Sequence, residues 1–125
     1  MALMPRKMRD HLQNIAEQIY RLPRVNAVVL FGSYAKGLAT ACSDVDLAVF
    51  FDQEPCEMRE EYRALSRICT NIDIDYQVQA FSIEEIVDPC GIIEEILWFG
   101  KIVVPAGKSR ECLQRLIPGV GIMEE

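Results

Sequence analysis

Two short apolar runs limit what this chain can fold into more than any other feature: Val25–Phe31, and Asp44–Phe51 a little further on. The first is short, β-branched and stopped by Gly32, so it reads as a mostly buried strand, and the second reads as a strand too. In the second, Asp44, Asp46, Ala48 and Phe50 alternate with Val45, Leu47, Val49 and Phe51. A period of two places both carboxylates on one face at the strand's entrance. The segment between the runs, Gly32–Ser43, is small and polar and is expected to hold a short helical turn and a loop.

The flanking sequence supplies the rest of a mixed fold. Met8, Leu12, Ile15, Ile19 and Leu22 fall in alternating steps of four and three, one face of a helix that ends before Pro23. Pro55 opens a second helix carrying Met58, Tyr62, Leu65 and Cys69 on its apolar face. A third strand, Ile72–Ala80, sets Ile72, Ile74, Tyr76 and Val78 against Asp73, Asp75, Gln77 and Gln79. Ser82-Ile83-Glu84-Glu85 is a capping box for a short helix that Asp88-Pro89 ends. Ile92, Ile93, Ile96, Leu97 and Phe99 form another helix stopped by Gly100, and Lys101–Val104 a final short strand. One domain over residues 1–107 follows, then a tail, 108–125, with a short helix over Cys112–Ile117 and a loose Gly- and Glu-rich end. The order of elements predicts an α/β (α+β) fold: a small mixed sheet of three to four strands with helices packed on one face.

Charge and cysteine usage exclude several functions. With 13 Lys and Arg against 19 Asp and Glu, the net charge is −6. Stable binding along a nucleic-acid backbone needs a basic face, so none is expected. Five cysteines without a C-x-x-C pair, beside the single His11, make neither a zinc cluster nor a disulfide framework. They read as reduced and mostly buried, and with no membrane-length apolar run the chain is expected in the cytoplasm. His11 reads as a surface residue and Tyr76 as packing. Trp98 and Phe99 read as core, with an exposed Trp98 the mark of an interface.

The carboxylates are the candidate chemistry. Alternate strand residues stand roughly 6.5–7 Å apart and point the same way, so Asp44 and Asp46 can straddle divalent ions. Two metals about 3.5–4 Å apart can hold the attacking and leaving oxygens of an in-line phosphoryl or nucleotidyl displacement. Mg²⁺ suits this role because it takes one or two carboxylates plus substrate phosphates. Asp75 or Asp73 on the third strand would add a third carboxylate, for the metal shell and for the proton of an attacking hydroxyl. Gly32 and Ser33, where a strand gives way to a helical turn, suit a phosphate, and Lys36 adds a point charge. Alone, a Gly-Ser is a turn and an Asp-x-Asp a solvated edge; the combination carries the chemistry. A calcium loop would need Gly where Val49 stands, and no P-loop is present.

Gly32-Ser33, ten residues, then Asp44-Val45-Asp46 resembles the G-S-x10-D-x-D signature of the nucleotidyltransferase superfamily related to DNA polymerase beta. The fuller runs Leu30-Phe31-Gly32-Ser33-Tyr34-Ala35-Lys36-Gly37 and Ser43-Asp44-Val45-Asp46-Leu47-Ala48-Val49 are similar to its small branch. Those are the minimal nucleotidyltransferases, often antitoxin partners of HEPN-domain proteins. The resemblance spans about residues 10–104 and implies a nucleotidyltransferase palm. It implies that Gly32 and Ser33 hold the triphosphate, that Asp44 and Asp46 bind Mg²⁺, and that Asp75, better placed than Asp73 ahead of Ser82, is the third aspartate. Where the family often has arginine this chain has Tyr34, and Lys36 would replace part of that contact. The implied reaction is Mg²⁺-dependent transfer of a nucleoside monophosphate, AMP from ATP or another NTP, to an acceptor hydroxyl with release of pyrophosphate. A tyrosine of a HEPN toxin is the implied acceptor. The alternatives are a non-catalytic antitoxin or scaffold acting by contact, and a small-molecule nucleotidyltransferase of the antibiotic-modifying kind. Larger members cover the nucleotide with a second domain, so another subunit, a HEPN protein or a second copy in a homo-oligomer, is expected to close the cleft here.

Overall fold

The computed structural model describes residues 5–40, 43–52, 59–70 and 74–123. In chain order it contains α1 (Arg6–Tyr20), β1 (Val25–Phe31), α2 (Gly32–Lys36), β2 (Val45–Phe51), α3 (Arg59–Cys69), β3 (Tyr76–Ser82), a 3₁₀ turn (Ile83–Ile86), α4 (Ile92–Phe99), β4 (Lys101–Ile102), α5 (Arg110–Leu116) and β5 (Gly121–Ile122). The two apolar runs lie side by side, β1 antiparallel to β2 with Val28 opposite Val49 and Phe31 opposite Asp46. β3 joins β2 in parallel and β4 joins β1 antiparallel, giving the order β3-β2-β1-β4-β5.

The mixed α/β architecture is as the sequence predicts, but the sheet has five strands and is covered on both faces. Val45, Leu47, Val49 and Phe51 pack with Leu12, Ile15 and Ile19 of α1 and Leu65 and Cys69 of α3. Ala27, Val29, Phe31, Ala48 and Phe50 face the other way, onto Ile93 and Ile96 of α4, Leu113 of α5 and Ile117 just after it. The reason lies in the strands themselves: apart from Asn26 and Asp46, β1 and β2 are buried and apolar on both sides, and such strands need cover on both faces. Asp46, at the entrance of β2, shares that face with Ala48 and Phe50.

Side-chain ties hold the layers in register. The Tyr20 hydroxyl donates to the Val103 carbonyl at 2.8 Å and accepts the Val28 N–H at 2.9 Å, linking α1 to β1 and to the residue after β4. At the start of the 3₁₀ turn the Ser82 hydroxyl accepts the Glu84 N–H, and the Glu85 carboxylate accepts the Ser82 N–H at 2.8 Å, the reciprocal cap expected. His11 meets the Tyr76 hydroxyl at 2.6 Å and stacks on its ring, so it joins α1 to β3 rather than lying free on the surface.

Other expectations are corrected. The third strand runs from Tyr76 to Ser82, with Ile74 and Asp75 ahead of it rather than within it; Ile72 and Asp73 lie outside the described residues, as do Pro55 and Met58 of the expected second helix. Gly121–Ile122, expected to be loose, pairs with β4 because its amides complete that strand's open edge. Cys69 is buried, which pushes its thiol up to about 12, but Cys90 and Cys112 are exposed rather than buried. Trp98 is 73% exposed and Phe99 46%, so neither is core: the apolar face of α4 runs through Ile93 and Ile96 instead. Among the described residues no helix is long and apolar enough to cross a membrane.

Candidate active site

The β1–β2 pairing builds the site. With Phe31 opposite Asp46, the chain leaves β1 and turns into α2 directly over the entrance of β2. Gly32 makes that turn at φ +71°, a left-handed conformation that glycine tolerates best. A Cβ there would run into the Asp46 carboxylate, whose side chain lies against the glycine backbone. The two halves of the motif, ten residues apart in sequence, are therefore in contact. Ser33 lies in the first turn of α2. The helix closes with the Leu38 N–H on the Ser33 carbonyl at 2.9 Å and Gly37 at φ +74°.

Asp44 and Asp46 are partly buried at this corner. Burial raises the Asp46 carboxyl above its ordinary value, and the negative charges of Asp44 and Glu95 raise it further. Glu95 comes from α4 and is a site residue that sequence reasoning missed. Its carboxylate pairs with the Lys36 ammonium, and Lys36 also lies over the Phe99 ring at 5.1 Å from the centroid. Glu95 and Phe99 are one helical turn apart on α4, which is how one lysine meets both. That spacing is visible in the sequence, but its relevance depends on α4 packing beside α2.

The structure brings Gly32, Ser33, Asp44 and Asp46 together and holds Lys36 at their edge through Glu95. Asp75 stands apart. It precedes β3 as an exposed residue, its carbonyl accepting the Val45 N–H at 2.8 Å, and it borders a cleft with Tyr62, Ser66, Thr70 and Gln77. The residue beside Asp46 on β3 is Gln77. Among the described residues no three His, Cys, Asp or Glu side chains gather into a metal site. The pair Asp44 and Asp46 nonetheless fits Mg²⁺: all-oxygen donors, crowded like charge that a cation relieves, and a coordination shell that substrate phosphates complete. A separate cleft of about 880 Å³, bordered by Arg6, Arg9, Gln13 and Arg110, contains none of these residues.

The chain matches the family described as "Polymerase beta, Nucleotidyltransferase" over residues 13–106. No curated protein sequence matches it significantly. Among solved structures, a putative nucleotidyltransferase from Sulfolobus solfataricus superposes with a TM-score of 0.60 at 20% identity, covering 82% of this chain and 85% of that one. A toxin-antitoxin with AMP-PNP gives 0.58 at 16% identity, over 86% of this chain and 81% of that one. A mutant of the toxin-antitoxin MntA-HpeT gives 0.57 at 14% identity, over 86% and 80%. These likenesses show a common fold. With the family match covering most of the chain, and the Gly-Ser turn packed onto the Asp-x-Asp strand, this chain belongs to the polymerase beta nucleotidyltransferase family.

Proposed function

We propose that this nucleotidyltransferase moves AMP from ATP onto a hydroxyl of a protein partner, a tyrosine of a HEPN toxin, and so serves as the antitoxin of the pair. The observation that carries the transferase reading is the contact between Gly32 and Asp46, which joins a phosphate-suited turn to a metal-suited carboxylate pair. The antitoxin reading is supported by the fold shared with a toxin-antitoxin with AMP-PNP and with MntA-HpeT. The 73% exposure of Trp98, near the site on α4, adds a surface suited to a partner.

Asp44 and Asp46 would hold Mg²⁺, which when bound supplies charge neutralisation across the α-phosphate and the leaving pyrophosphate. Gly32 lets the backbone approach the β- and γ-phosphates closely, and the Ser33 hydroxyl donates to them. Lys36 balances their charge. The acceptor oxygen bonds to the α-phosphorus in line with the bond to the bridging oxygen, which breaks and leaves with pyrophosphate. Asp75, carried beside Asp44 by the Val45–Tyr76 register, takes the acceptor proton.

The test is incubation with α-labelled ATP, Mg²⁺ and a HEPN partner. Label is expected on the partner, removed by Tyr→Phe at the acceptor and by Asp44→Asn with Asp46→Asn in this chain. Contact-only neutralisation predicts unchanged antitoxin action in the double variant and no label, which would overturn the transfer reading.

A further inference from the structure

Lys36, at the C-terminal end of α2, is already occupied: its ammonium is paired with Glu95 and lies 5.1 Å from the Phe99 ring centroid. An unpaired lysine on a flexible four-carbon stem loses considerable rotamer freedom when it orders on a ligand. Here α4 has ordered it in advance with two groups one turn apart, a carboxylate for charge and a ring face for the cation. An ammonium has three N–H donors, so the contact with Glu95 leaves capacity for a phosphate oxygen. Glu95 is meanwhile close enough to Asp46 for its charge to be felt there. Without Lys36, three carboxylates would confront a polyphosphate; with it, the third is neutralised.

We propose that Glu95 is a positioning residue for nucleotide binding: it holds the Lys36 ammonium, with Phe99, at the edge of the Asp44–Asp46 pair, where that ammonium meets the triphosphate. This rests on the nucleotidyltransferase reading of the site. Glu95 acts through Lys36 and does not itself touch the nucleotide. The opposite role is a definite alternative, since a carboxylate near the triphosphate could repel it, and Glu95→Gln would then tighten binding.

A double-mutant cycle decides between them. Binding of α,β-methylene-ATP, whose α–β bond cannot be transferred, is measured by calorimetry with Mg²⁺ for the parent chain, Glu95→Gln, Lys36→Met and the double variant. Glu95→Gln is expected to weaken binding about fivefold, the scale of a partly exposed ion pair, and to have no weakening effect once Lys36 is gone. Phe99→Leu should weaken binding by a smaller factor, again only when Lys36 is present. Tighter or unchanged binding in Glu95→Gln, or equal weakening in both backgrounds, overturns the proposal while leaving the transferase reading intact. If the parent chain binds no analogue, both fall together. Unchanged thermal melting of Glu95→Gln separates positioning from loss of fold.

Discussion

Gly32 and Asp46 are the residues on which site and stability meet. A side chain at Gly32 faces two penalties, the left-handed φ and the Asp46 carboxylate in the way of the new Cβ. Gly32→Ala should cost about 1–3 kcal/mol, and pairing it with Asp46→Ala should recover part of that loss, because one of the two penalties disappears. Denaturant titration of the four chains measures this; strict additivity would show that the carboxylate does not crowd the turn. Asp46 carries the opposite trade-off. Its carboxyl is raised in the folded chain, so folding favours its protonated form, and its ionisation opposes folding at neutral pH. In metal-free buffer Asp46→Asn should therefore stabilise the chain at pH 7, by less than about 1 kcal/mol for so partly buried a group. The gain should fade as pH falls through the ordinary carboxylate range, where the native aspartate is protonated in both states. A variant less stable than the parent at neutral pH would contradict it. The carboxylates were legible in the sequence because strand alternation fixes which residues share a face. Their cost was not, because it comes from burial and from Glu95, a residue about fifty positions away.

At the scale of elements, local pattern identified each piece whose order is set by neighbours in sequence. The capped turn at Ser82, the stop at Gly100 and the paired strands β1 and β2 follow directly from periodicity and capping chemistry. What was not legible is whatever depends on which elements meet. β5 has two residues and no period of its own; it is a strand only because β4 offers it an edge. The cover on both sheet faces likewise depends on where α4 and α5 pack. Asp75 shows the same dependence: its position in sequence suggests a catalytic role, but its place beside Asp44 is set by the register in which β3 pairs with β2. Tyr20 gives the clearest test of such a tertiary tie. Its buried hydroxyl serves a carbonyl and an amide that would otherwise be unpaired between β1 and β4, and burial pushes its ionisation well above the usual tyrosine range. Tyr20→Phe keeps the ring and removes both bonds, so it should destabilise by about 1–3 kcal/mol. Amide exchange at Val28 should accelerate with it. Unchanged exchange at that amide would mean the hydroxyl is dispensable.

For the whole molecule, the proposed function requires a chain of net charge −6 to accept a polyanion at a corner built from Asp44, Asp46 and Glu95. Lys36 offsets one carboxylate, and the remaining pair gives the site a negative field, the reverse of a phosphate site built from arginines. Without a divalent cation the nucleotide and the protein repel, and screening by salt weakens repulsion. Metal-free binding of α,β-methylene-ATP should therefore be weak and should improve as NaCl rises, whereas a basic site loses affinity under the same change. If the pair holds Mg²⁺ as proposed, the local sign would reverse, because the cation would neutralise the carboxylates and supply positive charge for the phosphates. Mg²⁺ and analogue together should then raise the melting temperature far more than either alone. At a ligand concentration one hundred times the dissociation constant the gain is about 2.7 kcal/mol. Asp44→Asn with Asp46→Asn should remove the cooperation between metal and nucleotide and also relieve the metal-free repulsion, so weak metal-free binding becomes tighter while metal-assisted binding disappears. That crossed outcome separates a metal-centred site from an incidental acidic edge: an edge would show repulsion that salt screens, but no gain from Mg²⁺ that depends on both aspartates.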